Sequence, residues 1–351
     1  ELLREVFLSR FDNPLLAELG DAATLPPLPP GRLALTTDSY VVQPLFFPGG
    51  DIGRLAVCGT VNDLAVSGAI PLYLTCGFIL EEGLPLETLV RVVDSMAATA
   101  REAGVQIVTG DTKVVERGAA DGLFINTAGV GVIPPGVELG PAHMRPGDAV
   151  LINGTVGDHG IAVMLAREGL NFHADLHSDC APLNGLSAAV LEAVPGSVRC
   201  MRDATRGGLA TVLCEWAESG MGLEIEERAV PVREEVRAAC EFLGLDPFYA
   251  ANEGKVVMVV AAAAAEAALA ALRAQPLGRD AALIGQVTAE HAGRVVLRTP
   301  YGARRVVQSG SASRNAWPYC LRQTRLSSST TTPRSPARRI SRPKPWRKRS
   351  T

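Results

Sequence analysis

Four short segments place an acidic residue beside glycine or a small polar residue, each next to an apolar run. They are Thr36-Thr37-Asp38-Ser39, Val61-Asn62-Asp63-Leu64, Thr109-Gly110-Asp111-Thr112-Lys113 and Ala251-Asn252-Glu253-Gly254-Lys255. Carboxylates spread in this way suit hard cations such as Mg2+ around a polyphosphate, because such cations take oxygen ligands and give up water reluctantly. The chain has neither a Gly-x-x-x-x-Gly-Lys-Ser/Thr loop nor a Gly-x-Gly-x-x-Gly turn, so the two common glycine-rich phosphate cradles are absent. Any use of ATP must run through metal and carboxylates.

Asp38 and Asp111 each follow an apolar run that reads as a strand, and Asp63 reads as lying near the head of a helix, where free N–H groups favour anions. Acidic residues are also common in turns and caps, so spacing alone leaves both readings open for Asp38, Asp63 and Asp111. Lys113 is suited to meet a phosphate as a point charge, or is a solvated surface lysine. Glu253, just before a buried strand, can orient a metal or act as a base, or simply shape a tight turn. In Arg202-Asp203-Ala204-Thr205-Arg206-Gly207-Gly208 the hydroxyl, guanidinium and backbone donors of Thr205, Arg206, Gly207 and Gly208 sit at a helix start, suited to an anion. Asp203 reads there as an N-cap. In Gly157-Asp158-His159-Gly160, His159 reads as a structural hydrogen-bonding group rather than a catalyst.

The elements that must position these residues follow from periodicity. Residues 2–11 have helical spacing; 32–42 read as a strand reaching Asp38, 53–68 as a helix and 72–80 as a strand. The spacing predicts a helix over 85–104 with Leu86, Leu89, Val93, Met96 and Ala100 on one face, then a strand at 105–108 that delivers Gly110-Asp111, and another at 123–132. Pro134-Pro135-Gly136 and Arg145-Pro146-Gly147-Asp148 punctuate the middle of the chain and set a boundary there. This gives domains at 1–147 and 148–307, the second with helices at 161–168 and about 208–218 and final strands at 256–260, 282–287 and 294–297. Strand runs adjoin as often as they alternate with helices, so the expected class is α/β with mixed, α+β-type sheets rather than a doubly wound one. After Val307 Ser, Thr, Arg and Pro dominate without apolar period, a disordered composition for 308–351.

Of 351 residues, 47% are hydrophobic and aromatics are few, which implies a substantial aliphatic core. The net charge of −3 hides an asymmetry: residues 309–351 carry 11 Lys/Arg and no Asp/Glu, leaving 23 basic against 37 acidic residues before them, about −14. An acidic body repels bare nucleotide and nucleic acid, so a phosphate ligand needs metal ions and positioned cations. The basic tail lacks interleaved aromatics; it reads as a nucleic-acid arm or, in a body rich in Ala, Gly and Arg, as GC-rich sequence translated out of frame. The latter agrees better with the acidic body. Seven scattered cysteines without Cys-x-x-Cys spacing read as inert core thiols in a reducing compartment. The five histidines do not cluster with them, which argues against zinc. No run reads as a membrane span or signal peptide, so a cytoplasmic protein without membrane or nucleic-acid partners is expected.

On these same residues the chain resembles the HypE-type hydrogenase maturation factors, carbamoyl dehydratases of the aminoimidazole-ribonucleotide synthetase-like ATP-binding superfamily. The resemblance runs through Thr37-Asp38-Ser39-Tyr40, Pro48-Gly49-Gly50-Asp51, Cys58-Gly59-Thr60-Val61-Asn62-Asp63, Thr109-Gly110-Asp111-Thr112-Lys113, Gly157-Asp158-His159-Gly160, Arg202 to Gly208 and Ala251 to Lys255, and covers nearly all of 1–307. It implies a two-domain homodimer with ATP and Mg2+ at the subunit interface, the first domain carrying ATP binding and dimerisation. It also implies a carbamoyl-transferring maturation enzyme and an iron-carrying maturation scaffold complex as partners. The implied reaction dehydrates a cysteine-bound S-carboxamide to a thiocyanate, the source of cyanide for the iron of [NiFe]-hydrogenase. Residue by residue it implies Asp38, Asp63 and Asp111 as metal ligands, and Asp63 with Glu253 as the catalytic pair. Asp38, Asn62, Asp111, Thr112, Lys113, Thr205, Arg206, Gly207, Gly208 and Asn252 would hold ATP. Two features depart from the family pattern. Its initial His-Gly-x-Gly-Gly segment is absent, the chain starting inside the helix that follows, and its terminal Pro-Arg-Ile-Cys is replaced. Cys320, at the expected length for a carbamoyl acceptor, follows Trp317-Pro318-Tyr319 and precedes 31 further residues. The alternatives are a non-catalytic dimeric maturation partner without a competent thiol, and a sibling ATP enzyme such as a selenophosphate synthetase or thiamine-phosphate kinase.

Overall fold

The strands and helices read from periodicity are present in a computed structural model, which describes residues 2–169 and 175–309. The first half builds β1 (Arg32–Tyr40), α1 (Ile52–Val66), β2 (Ile70–Glu81), α2 (Leu86–Ala103), β3 (Gln106–Val115) and β4 (Leu123–Ile133). Its sheet has the order β1-β4-β2-β3, with β2 and β3 parallel and the other pairs antiparallel. Asp51 starts α1 by accepting the amides of Gly53 and Arg54, the side-chain capping that lone first-turn N–H groups require. Along α2, Leu89, Val93, Met96 and Ala100 are buried as expected, whereas Leu86 stays exposed.

The second half runs β5 (Ala149–Ile152), α3 (Asp158–Glu168), α4 (Asn184–Ala193), β6 (Val198–Asp203), α5 (Gly208–Ala217), β7 (Gly222–Glu226), α6 (Glu234–Leu243), β8 (Val256–Val260), α7 (Ala265–Arg273), β9 (Ala282–Thr288), β10 (Val295–Arg298) and β11 (Arg304–Val307). The seven-stranded order is β11-β10-β7-β9-β5-β8-β6, antiparallel except for β10 with β7. In β8 all five residues are buried, because successive side chains enter different cores. Val257 and Val259 pack in the cluster of Leu209, Leu213 and Trp216, while Val256, Met258 and Val260 pack in that of Leu186, Val190 and Leu272. A strand covered on both faces reads as a continuous apolar run, as this one does. Both sheets are mixed, as the expected fold class requires.

Three local expectations change. The strand placed at 105–108 extends to Val115, so Asp111 lies inside β3 rather than beyond its end. Asp63 lies in the last turn of α1, not at its head; the first-turn N–H groups belong to residues 52–55, and the helix dipole offers Asp63 no help. β11 pairs with β10 where no strand was expected. All six described cysteines are free thiols. Among the described residues no helix is long and apolar enough to cross a membrane. Cys320 and the basic tail from 310 onward lie outside the described residues.

Candidate active site

On β1 the alternation of the strand sends Thr36, Asp38 and Tyr40 toward α1 and Thr37 and Ser39 to the opposite face. Two side-chain bonds tie this inner row to α1: Thr36 Oγ1 donates to Asp63 Oδ2 at 2.9 Å, and Tyr40 Oη and Thr60 Oγ1 lie 3.2 Å apart. Thr60 and Asp63 are three apart, hence on one helix face, so Asp38 is set between the two rungs and near Asp63.

The second half brings its own acids to this place. β6 ends at Asp203, which pairs with Val256 at the start of β8; the turns leaving these strands therefore run side by side, with the Ala204 amide donating to the Lys255 carbonyl and the Asn252 amide to the Ala204 carbonyl. Glu253 sits on the second turn. Burial raises the Asp63 carboxyl, Asp38 adding its repulsion while Thr36, Arg202 and Arg206 oppose. Burial, then the charges of Asp63 and Asp38, push Asp203 up to about 7. Glu253 is raised well above the usual carboxylate range by burial, followed by the Cys180 thiol, Asp203, Asp179 and Asp38. The carboxylates of residues 38, 63, 203 and 253 thus form one acidic cluster: Asp203 feels the charges of Asp63 and Asp38, and Glu253 those of Asp203 and Asp38. Arg202 and Arg206 lie near it, the latter 3.6 Å from Asp38 and 90% exposed.

The remaining expected site residues divide. Thr205, Arg206, Gly207 and Gly208 lie together at the start of α5, where Gly207 and Gly208 take left-handed φ of 72° and 61° and no side chain caps the first turn. Asp203 is the last residue of β6 and not an N-cap, which corrects the plainer reading of it. Asn62 and Asn252, expected on the nucleotide, are spent on the protein. Asn62 donates to the carbonyls of Ala181 and Glu253 and accepts the Leu183 amide. Asn252 donates to Ala204 and Ala250 and accepts from Gly157. Both are buried, with both amide protons engaged and the oxygen already accepting one bond.

Asp111 does not join Asp38 and Asp63 within one chain. The register aligns Ser39, Asn126, Gly77 and Asp111 in one row across the sheet. Asp111 is therefore on the face of Ser39, opposite that of Asp38, and three strand spacings away, about 14 Å. There it pairs with Lys113 at 2.9 Å, both exposed; that bond and the Thr112 amide hold its carboxyl below the usual range. Cys320, the expected carbamoyl acceptor, lies outside the described residues.

Asp38 and Asp63 supply hard oxygen donors to one space. Among the described residues no three His, Cys, Asp or Glu side chains cluster closely enough to hold a metal by themselves. Two carboxylates fit a magnesium ion that brings phosphate oxygens and water as its other ligands. Sequence reasoning missed Asp203 as a titrating group and Asp179 altogether; a strand-ending acid before a glycine-rich turn is the signal for the first, and nothing local marks the second. His159 is structural as expected: its Nδ1 and Ser178 Oγ share a 2.8 Å hydrogen bond.

With this geometry in hand, the comparisons are specific. Residues 19–133 match the AIR synthase related protein N-terminal domain, and 145–298 the C-terminal domain. The carbamoyl dehydratase HypE of Azotobacter vinelandii is 56% identical over 308 residues, covering 88% of this chain and 90% of the relative. That of Escherichia coli K12 is 54% identical over 312 residues, covering 88% and 92%. A crystal structure of hydrogenase maturation protein HypE in complex with ATP superposes with a TM-score of 0.85 at 53% identity, covering 88% and 93% of the two chains. HypE from a HypE–HypF complex gives 0.77 at 51%, covering 88% and 99%. A thiamine monophosphate kinase from Aquifex aeolicus, at 19% identity and a TM-score of 0.55 over 78% of this chain and 89% of its own, shares the fold alone.

Proposed function

The chain belongs to the HypE family of carbamoyl dehydratases, and from that membership and the acidic cluster we propose that it dehydrates a cysteine-bound S-carboxamide to a thiocyanate at the expense of ATP, supplying cyanide for the iron of a [NiFe]-hydrogenase. The observation that carries this reading is the meeting of Asp38, Asp63, Asp203 and Glu253, with burial raising the carboxyls of Asp63, Asp203 and Glu253, beside Arg202 and Arg206. An amide oxygen leaves badly as hydroxide and well as phosphate, so the carboxamide oxygen departs as phosphate and its two nitrogen protons must be taken up. Glu253, raised by burial, is a stronger proton acceptor than an exposed carboxylate. Asp203, near 7, is poised to pass a proton on. Arg206 and the open first turn of α5 suit phosphate oxygens. Asp38 and Asp63 would hold magnesium, which when bound neutralises charge on the phosphoryl group.

The same reading makes the protein a homodimer. The outward face of the first sheet exposes Leu33, Leu35 and Ile79, and Asp111 and Lys113 on that face, with Thr112 between them, would reach the nucleotide of a second subunit. Its partners are a carbamoyl-transferring maturation enzyme, in line with the HypE–HypF complex of its relative, and an iron-carrying maturation scaffold complex; its compartment is the cytoplasm. One observation favours the second reading, a non-catalytic dimeric partner: Cys320 precedes 31 more residues. Mass spectrometry after incubation with the carbamoyl-loading enzyme separates the two, since an acceptor Cys320 gains the carbamoyl mass. The catalytic roles are tested by Asp63→Asn and Glu253→Gln, with an S-carbamoyl-cysteine peptide supplied as substrate. Phosphate release should be abolished in both, and unchanged turnover in either removes that residue from the mechanism.

A further inference from the structure

Among the described residues no side-chain hydrogen bond explains the direction of Glu253, yet the backbone on both sides of its Cα is fastened. Its amide donates to Asp179 Oδ1 at 3.0 Å, and its carbonyl accepts from Asn62 Nδ2 at 3.2 Å. Asn62 comes from α1 in the first sheet's layer and Asp179 from the segment before α4, so the two holds come from different parts of the fold. Asp179 Oδ2 also takes Lys255 Nζ at 2.8 Å, a pair with side chains only 5% and 10% exposed. Between Glu253 and Lys255, Gly254 leaves no room for adjustment: a Cβ there would overlap the Asp179 carbonyl oxygen. Asn153 closes the turn by donating to the Gly254 carbonyl and accepting the Val256 amide.

We propose that Asp179 and Asn62 are positioning residues that aim the Glu253 carboxyl toward Asp38 and Asp203 by holding the two peptide groups flanking its Cα. The proposal rests on the catalytic reading of Glu253 given above. A buried ion pair such as Asp179–Lys255 is a poor source of stability, since apolar replacements are often neutral or better; fixing the geometry of a reacting group is what such a pair can add. Burial opposes the charge of Asp179, but Lys255 and the Glu253 amide hold its carboxyl below the usual range, so the acceptor is ionised and permanent near neutral pH. Asn62 acts through the same residue from the other side, and its third bond, to the Leu183 amide, keeps it from rotating away.

The test separates the acceptor from the charge. Asp179→Leu/Lys255→Met removes the ion pair and the acceptor together and leaves no unpaired buried charge. Asp179→Asn/Lys255→Met removes the charges but keeps an acceptor for the Glu253 amide. Hydrogen exchange of the peptide spanning residues 250–256 should quicken about tenfold at the Glu253 amide in the first variant, and the second should restore most of the protection. In phosphate release with the S-carbamoyl-cysteine peptide, the first variant should lose on the order of 10- to 100-fold in kcat, the range expected for misplacing a reacting group by about 1 Å, with KM for ATP within about twofold. The second should recover most of that loss. General loosening of the fold would instead quicken exchange in peptides far from residues 250–256 as well, and the clamp predicts no change there. Unchanged exchange at the Glu253 amide in the first variant, equal losses of kcat in both variants, or exchange that quickens throughout the chain each overturns the proposal. Full activity of Glu253→Gln alone overturns instead the catalytic reading, while the exchange measurement still decides whether the clamp exists.

Discussion

His159 should make stability depend on pH between about 6.5 and about 4, in a direction fixed by its burial. The ring is 7% exposed, hydrogen-bonded to Ser178 and edge-on to Phe47 with centroids 5.5 Å apart. Burial lowers its pKa to about 4, the charge of Asp179 opposing part of the shift. A free histidine titrates near 6.5. Because the folded value is the lower one, the unfolded chain takes up the proton first as pH falls. The stability contributed by the neutral ring is complete above about 6.5 and is lost on the way down to about 4. At 1.36 kcal/mol per pH unit the full contribution is about 3 kcal/mol, of which about 2 kcal/mol is gone at pH 5. The buried carboxyls of Asp63, Asp158, Asp203 and Glu253 have raised values and work the other way, their penalty lifting as pH falls. The wild-type profile alone therefore mixes signs, and the difference from a variant isolates the ring. His159→Gln keeps a polar partner for Ser178 and does not titrate. Urea unfolding of both proteins at pH 7.5 and pH 5 should show wild type losing about 2 kcal/mol more than the variant over that interval. An equal loss in the two proteins would refute the assignment of a neutral, buried ring.

Leu35 is 76% exposed on the outward face of the first sheet; Leu35→Glu should convert the proposed homodimer to monomer in light scattering, and a dimer of undiminished affinity would show that this face is not the interface. Gly208 combines a φ of 61° with close approach: an added Cβ would meet the Ala250 and Phe248 carbonyl oxygens at 2.5 and 2.6 Å. Gly208→Ala should therefore cost at least about 3 kcal/mol, from left-handed strain plus overpacking against backbone, read by chemical denaturation. A change below about 1 kcal/mol would mean the 248–250 turn yields freely.

The apolar periods of this chain were enough for the mixed sheets, because each strand's alternation and each helix's stripe is written locally: Val256–Val260 shows its double burial as an unbroken apolar run, and α2 its single buried face as a 3.6-residue stripe. The family motifs likewise marked the acids at 38, 63 and 253 by type and neighbours. Sequence did not reveal direction. Whether Asp111 shares a face with Asp38 depends on strand register across β4 and β2, and register is set by which strands pair, not by the residues beside the acid. Whether Asn62 and Asn252 meet a ligand depends on which carbonyls the folded chain brings within reach; here those carbonyls take both N–H groups of each side chain. The raised carboxyls of Asp203 and Glu253, and the hold of Asp179 on the latter, arise from burial and from charges far apart along the chain, so they come into being only when the two halves pack together.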